Sequence, residues 1–273
     1  MIVALIDNGS LEPAAQLNLR ALAATLSERT DSTVHAVSWK HSDRIPATAL
    51  AGVPAWTLAP FVRAHVARGE RDFVFIPFFV SPQGAIGSAL RGDLEKLHRE
   101  LGDFRFAFTA GLVARGAVAP IVADRIRLTI AAKKLSRPAV VVVDHGGPSA
   151  ESAAVRDAIG AEVRATLRGE IGALAVASME GAHGPLLAEQ LAAPGFASGD
   201  IVIAPLFLAP GRHAGPDGDL ARIARAAEER AADATRAQRC HFADLVGTHP
   251  RVADALSAAL REHLSTLPAE TLA

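Results

Sequence analysis

Three side chains of metal-binding types each follow a separate hydrophobic run in the second half of this 273-residue chain. His145 follows AVVVVD, Glu180 lies in SMEG, and His213 ends the segment PLFLAPGRH. Two imidazoles and one carboxylate that converge on a cleft can bind a divalent transition metal and leave positions open for water or substrate. The residues therefore predict a metal site made by His145, Glu180 and His213.

The first half of the chain repeats the second half but lacks these ligands. VALIDNGSLEPA matches VVVVDHGGPSAE, and FIPFFVSPQGAIG matches IAPLFLAPGRHAG. The paired positions are Asn8 with His145, Lys40 with Glu180, and Ala85 with His213. Because a lysine would repel a metal ion, we expect a duplicated protein in which only the second copy keeps a metal site. The predicted domains are residues 1–136 and 137–273.

Other interpretations of these residues stay open at this point. A single histidine after a strand is more often a hydrogen-bonded loop residue than a ligand. His183 is close enough to Glu180 in sequence to line the same cleft, but it could equally be a solvated loop residue. The DHGG turn could bind phosphate through free backbone N–H groups, although the adjacent imidazole disfavours this. Cys240 has no second thiol at metal-binding spacing, and we expect it to pack in a strand.

The elements that must position these residues are short β-branched runs that alternate with longer Ala/Leu/Arg segments at helical spacing. This alternation predicts an α/β fold in which parallel sheets are covered by helices. The predicted strands are Met1–Ile6, Thr33–Ser38, Asp72–Pro77, Arg105–Thr109, Ala139–Val143, Gly172–Ala177, Asp200–Ala204 and Gln238–Phe242. The predicted helices are Pro13–Arg29, Pro54–Arg68, Gly84–Leu101, Val118–Lys134, Glu151–Leu167, Leu186–Leu191, Asp217–Ala234 and Pro250–His263. Each candidate ligand follows the carboxyl end of a predicted strand, where open α/β sheets form their ligand crevices.

Composition excludes several classes of function. A formal net charge of -1 argues against a nucleic-acid-binding protein, which normally carries a basic excess. No uninterrupted apolar run approaches the roughly 18–20 residues that a membrane-spanning helix requires. A single cysteine cannot form an internal disulfide, and Asp7 interrupts the apolar opening run. We therefore expect a cytoplasmic protein that interacts with neither nucleic acid nor membrane.

The motifs resemble those of the class II tetrapyrrole chelatases, in particular the CbiX-type sirohydrochlorin chelatases. Members of that family open with a strand and a GHGSR-like turn, which resembles LIDNGSLEP in the first half and VVDHGGPSAES in the second. They also carry a PLFLxxGRH-like segment, and Pro205–His213 reproduces it closely. The resemblance covers nearly the whole chain and implies two tandem chelatase-like domains, of which the first is degenerate.

The resemblance also implies a reaction. His145, Glu180 and His213 would bind Co²⁺, with Fe²⁺ or Ni²⁺ as alternatives, and insert it into sirohydrochlorin or a related tetrapyrrole without ATP. This is a lyase reaction of cobalamin or siroheme biosynthesis, and the substrate carboxylates would bind cations such as Arg212. Two fused halves could supply the cleft that half-length relatives build by dimerising, so either a monomer or a homodimer is expected.

This sequence departs from the family pattern in the turn after His145, which reads GGPS where the family favours GSR. The departure leaves open a non-catalytic protein that binds or delivers a metal or a tetrapyrrole. A purely structural partner subunit is the remaining alternative.

Overall fold

The computed structural model describes residues 1–80, 85–102, 104–147, 149–215, 217–231 and 237–266. The strands are β1 Ile2–Asp7, β2 Val34–Ser38, β3 Trp56–Thr57, β4 Asp72–Pro77, β5 Arg105–Phe108, β6 Ala139–Asp144, β7 Leu174–Ser178, β8 Gly199–Pro205 and β9 Gln238–Phe242. The helices are α1 Pro13–Thr30, α2 Leu58–Ala67, α3 Ala85–Leu101, α4 Val118–Lys133, α5 Ala150–Thr166, α6 Leu187–Gln190, α7 Asp219–Arg230 and α8 Pro250–Ser265. Within the described residues, no helix combines the length and the apolar character needed to cross a bilayer.

The strands form two parallel sheets in two compact units. The first unit comprises Met1–Ala117 and Pro250–Ala273, and its sheet has the order β3-β2-β1-β4-β5. The second unit comprises Val118–His249, and its sheet has the order β7-β6-β8-β9. The predicted α/β class, with parallel sheets flanked by helices in a two-domain arrangement, is confirmed.

The last helix of each sequence half belongs to the unit formed mainly by the other half. In the first unit, α8 packs against α1, and Arg29 of α1 pairs with Asp254 of α8. In the second unit, α4 packs against α5 and β8, and Arg127 of α4 forms a bidentate pair with Glu170. The compact units thus differ from the halves 1–136 and 137–273, which follow the order of the repeat, and a boundary near residue 136 stays a prediction about the duplication.

The central strands β1, β4, β6 and β8 are buried on both faces along most of their length. Val140–Val143, the central residues of β6, are fully buried, which explains why this strand is apolar without alternation. The core of the second unit extends from β6 and β8 to the partly buried Met179 and Ile223, which reach the carboxyl edge of the sheet. The core therefore supports the loops that carry the candidate ligands.

The helix predicted to begin at Pro54 begins at Leu58 in the structure. Pro54 predicts a helix start, but Trp56–Thr57 is extended and pairs with Val37–Ser38 of β2. The sheet-edge pairing, together with the edge-on contact of Trp56 with Phe61, outweighs the local helix signal. Residues 81–84 and 232–234, which include predicted parts of the third and seventh helices, lie outside the described residues.

Cys240 lies in β9, as the sequence predicts. Burial raises the pKa of its thiol to about 12, so the thiolate is not available as a metal ligand near neutral pH.

Candidate metal centre

The three predicted ligands lie at the carboxyl ends of adjacent strands. His145 follows β6, and Glu180 follows the neighbouring strand β7. His213 lies in the loop between β8, the other neighbour of β6, and helix α7. In the register of the sheet, Asp144 is opposite Ser178. The order β7-β6-β8 therefore brings the three loops to one edge, as expected from the sequence.

A glycine allows two of these loops to meet. Gly146 has φ +94°, and a Cβ at this position would lie 1.8 Å from the carbonyl oxygen of Glu180. The backbone N–H of Glu180 donates to the carbonyl of His145 at 3.2 Å. A side chain at residue 146 would separate the loops, so the glycine is required by both the backbone conformation and the close approach.

The first unit has the same loop arrangement. Gly9 has φ +88°, and a Cβ there would lie 1.7 Å from the carbonyl oxygen of Lys40. The N–H of Lys40 donates to the carbonyl of Asn8 at 3.3 Å, as Glu180 does to His145. This correspondence confirms that Lys40 occupies the position of Glu180 in the repeat.

The two imidazoles face each other across the site. Nε2 of His145 lies 3.2 Å from Nε2 of His213, and the rings are nearly perpendicular, at 77°. A metal ion bound at about 2.0–2.1 Å from two imidazole nitrogens holds those nitrogens about 2.8–3.4 Å apart in octahedral or tetrahedral geometry. The observed separation therefore fits two ligands of one ion with little movement.

Glu180 lies in the same cavity but on another side of His145. Its Oε1 lies 3.5 Å from Nδ1 of His145, on the side of the ring away from the facing Nε2 atoms. Its side chain is 67 % exposed. Across the described part of the chain, no group of three His, Cys, Asp or Glu side chains is arranged to hold one metal ion. The two imidazoles thus face each other, whereas the Glu180 carboxylate contacts the opposite side of the His145 ring.

Sequence analysis missed a second carboxylate at this site. Oδ2 of Asp219, the first residue of α7, lies 2.5 Å from Nδ1 of His213. Its Oδ1 accepts a hydrogen bond from Arg222. Hydrogen bonds from His213 and then from Arg222 lower the pKa of Asp219 below its ordinary value, so the carboxylate is ionised. An acidic residue that begins a helix just after the GRH motif is the available sequence signal.

A buried arginine ties the strand ends together. Arg156 of α5 is almost fully buried, and its guanidinium donates to Ser178 and to the carbonyl of His183. It lies 3.8 Å from Asp144, which accepts a hydrogen bond from Ser178, and two of its N–H groups donate to Oδ1 of Asp157. One cation thus links the residue before His145 to the loop after Glu180.

Arg212, predicted to bind the substrate carboxylates, and His183, predicted to line the same cleft, differ in their placement. Arg212 lines a cavity of about 610 Å³. The cavity is also lined by His145, Met179, Glu180, His213, Asp219, Arg222 and Ile223. His183 is exposed in the loop after β7 and is not among the lining residues. Arg222, which the sequence did not single out, supplies a further cation to the cavity.

The equivalent edge of the first unit carries different chemistry. The motif RGDL at 91–94 corresponds to DGDL at 217–220, which places Asp93 at the position of Asp219. Asp93 accepts from Nε1 of Trp39 at 2.9 Å and lies 3.6 Å from the Lys40 ammonium. A lysine therefore neutralises this carboxylate, in keeping with the predicted loss of a metal site in the first copy.

Comparison with known proteins identifies the second half of the chain. Residues 139–263 match the family model CbiX. The second half of the chain is therefore similar to the CbiX family. The match includes β6 to β9 and most of α8, so the matched segment contains all the predicted ligands. It confirms the resemblance to CbiX-type chelatases that the two motifs indicated. A search of curated proteins found no match.

Solved structures extend the likeness in fold to nearly the whole chain. SirB from Bacillus subtilis with Fe³⁺ has a TM-score of 0.67 and 13 % identity, covering 96 % of this chain and 95 % of that chain. The sirohydrochlorin chelatase SirB from Bacillus subtilis subspecies spizizenii in complex with cobalt has a TM-score of 0.65 and 14 % identity over the same shares. CbiX, described as the terminal enzyme for biosynthesis of siroheme in denitrifying bacteria, has a TM-score of 0.62 and 17 % identity, covering 98 % and 99 %. The likeness in fold thus includes both compact units of the chain.

Proposed function

We propose that this protein is a metal chelatase that inserts Co²⁺ or Fe²⁺ into sirohydrochlorin or a related tetrapyrrole. The observation that carries the proposal is the 3.2 Å separation of the facing Nε2 atoms of His145 and His213 at the edge of a large open cavity. Imidazole binds cobalt, iron and nickel and exchanges with other ligands, so the site suits an ion that must be passed on. Of these metals, cobalt is our first choice.

Glu180 completes the proposed ligand set. Its side chain is long, exposed and already 3.5 Å from the ring of His145. Rotation about its side-chain bonds would bring the carboxylate to the ion held by the imidazoles. Its negative charge would offset part of the charge of the ion, which lowers the cost of holding a dication in the cavity.

The cavity suits a flat, anionic macrocycle. Met179 and Ile223 supply apolar surface that is continuous with the core. Arg212 and Arg222 supply two guanidinium groups, which bind carboxylates in bidentate geometry. A tetrapyrrole with several carboxylates would place its ring over the apolar surface and its acid groups on the arginines.

The reaction requires the ion to lose water and the ring to lose two pyrrole protons. The imidazoles replace water on the ion, and the open side of the cavity allows the pyrrole nitrogens to displace them in turn. Imidazole accepts protons close to neutral pH, so His145 takes one pyrrole proton once it releases the metal. Glu180 takes the second. Two protons leave as one dication enters, so charge is balanced without ATP.

The test is the absorbance change of sirohydrochlorin on addition of Co²⁺. We expect the protein to accelerate the change and a His145→Ala/His213→Ala double variant to abolish the acceleration. An Asn8→Ala/Lys40→Ala variant changes the equivalent positions of the first unit and should retain the activity. Equal rates for the wild type and the histidine double variant would refute the proposal. Repeating the assay with Fe²⁺ and Ni²⁺ identifies the preferred metal.

A non-catalytic binding or delivery protein is the second candidate. It is favoured by the arrangement of Glu180, because no three ligating side chains among the described residues are poised around one ion. Stoichiometric binding of Co²⁺ or tetrapyrrole without rate enhancement would support this candidate over the chelatase.

A further inference from the structure

We propose that Asp219 is a positioning residue that fixes His213 as a metal ligand, and that Arg222 holds Asp219 in place. This inference rests on the proposed binding of a metal ion at His213. It assigns roles to two side chains outside the predicted ligand set. Three features of the described residues support it.

The first feature is that the Asp219 carboxylate accepts hydrogen bonds from both His213 and Arg222. Asp219 uses Oδ2 for Nδ1 of His213 and Oδ1 for the guanidinium of Arg222. A carboxylate oxygen accepts, so Nδ1 of His213 is the donor of this hydrogen bond. Nε2 then presents its lone pair toward Nε2 of His145, 3.2 Å away. The carboxylate thus selects the tautomer that can bind a metal ion from the cavity.

The second feature is the backbone contact between His213 and the start of α7. The N–H of Leu220 donates to the carbonyl of His213 at 3.2 Å, so the chain folds back from the histidine onto the helix start. A Cβ at Gly218 would lie 2.6 Å from that same carbonyl oxygen. Asp219 begins α7, where the helix N-terminus favours a negative charge. Both ends of the hydrogen bond are therefore held by the backbone.

The third feature is the difference between the two imidazoles. Among the described residues, the contacts at Nδ1 of His145 are longer, 3.4 Å to the carbonyl of Gly146 and 3.5 Å to Glu180. The Asp219 side chain is only 22 % exposed, against 67 % for Glu180. Asp219 therefore constrains His213 more tightly than Glu180 constrains His145, and His213 is the ligand with the fixed orientation.

The test measures the tautomer of His213 and the affinity for Co²⁺ in the full-length protein without tetrapyrrole. In the wild type, long-range ¹H–¹⁵N NMR correlations should show the Nδ1–H tautomer of His213. In Asp219→Ala, we expect a shift toward the Nε2–H tautomer and a loss of about 10–100-fold in Co²⁺ affinity. Arg222→Ala should cause a smaller loss in the same direction, and Asp219→Asn an intermediate one.

Asp217→Ala is the matched control, because this neighbouring carboxylate is 92 % exposed and pairs with Arg225. It should leave the tautomer and the affinity unchanged. An Nε2–H tautomer in the wild type would overturn the inference. So would folded Asp219→Asn and Arg222→Ala variants whose tautomer and Co²⁺ affinity match the wild type.

These outcomes are separate from those of the proposed function. A wild type that binds Co²⁺ through a fixed His213 but does not accelerate insertion would refute the chelatase and support the role of Asp219. A wild type that accelerates insertion, with Asp219 variants that keep the wild-type tautomer and affinity, would support the chelatase and refute the role of Asp219.

Discussion

Replacing Asp7 with asparagine is expected to stabilise the first unit above pH 6. Asp7 ends β1 in the first unit, at the position that Asp144 occupies in the second. Burial raises the pKa of its carboxyl from 3.8 to about 6, against the lowering effect of hydrogen bonds from Ser38 and Gly9. Asp144 has Arg156 nearby, whereas the groups that hydrogen-bond to Asp7 are the neutral hydroxyl of Ser38 and the backbone N–H of Gly9.

The sign and size of the effect follow from proton linkage. Between pH 4 and 6 the folded protein binds more protons at Asp7 than the unfolded chain does, so the free energy of unfolding falls as the pH rises. A change in pKa from 3.8 to about 6 corresponds to at most about 3 kcal/mol, at about 1.4 kcal/mol per pH unit. Asparagine can still accept from the N–H of Gly9 and cannot ionise, so Asp7→Asn should recover up to this amount at pH 8.

Tryptophan fluorescence during urea denaturation measures this effect selectively. The two tryptophans of the chain, Trp39 and Trp56, both belong to the first unit. The wild type should lose stability between pH 4 and 6, and Asp7→Asn should not. Asp144→Asn, the same change in the second unit, should leave the pH dependence of the tryptophan signal as it is in the wild type. If Asp7→Asn and the wild type show the same pH dependence, the reasoning is refuted.

Three further predictions concern the second unit. Arg156→Met should lower its free energy of unfolding by about 3 kcal/mol, measured by chemical denaturation, because it leaves buried polar partners without their cation; an unchanged midpoint would contradict this. Gly146→Ala should weaken both the stability of the fold and the affinity for Co²⁺, because its Cβ would meet a backbone oxygen at 1.8 Å. Gly9→Ala, the same change in the first unit, should weaken stability alone. Equal effects of the two variants on Co²⁺ titrations would be inconsistent with a site in one unit. An Arg212→Ala/Arg222→Ala variant should raise the KM for sirohydrochlorin more than tenfold, at about 1.4 kcal/mol or more for the lost carboxylate contacts, and an unchanged KM would rule out these arginines as carboxylate ligands.

The sequence predicted the sheet elements well because their hydrophobic runs are short and separated by clear turn signals. The fully buried run Val140–Val143 and the helix start at Pro13 are examples of strong local signals. The repeat also predicted the position of the site, because equivalent loops with different side chains reveal what one copy has retained. Lys40 and Glu180 could be paired on this basis before the backbone contacts were known.

Other features depend on tertiary packing and have no local signal. The helices α4 and α8 are predictable as helices. The sequence of neither helix indicates which of the two units it packs in. The two-residue strand Trp56–Thr57 depends on its backbone pairing with the edge of β2. The contact of Asp219 with His213 depends on how the intervening loop folds back, and the direction of the Glu180 side chain depends on rotations that sequence does not determine.

Equilibrium dialysis with Co²⁺ tests the central claim, a metal site held by His145 and His213, most directly. We predict one tightly bound Co²⁺ per wild-type chain, loss of this ion in the His145→Ala/His213→Ala variant, and its retention in Asn8→Ala/Lys40→Ala. Undiminished Co²⁺ binding in the histidine double variant would contradict the claim.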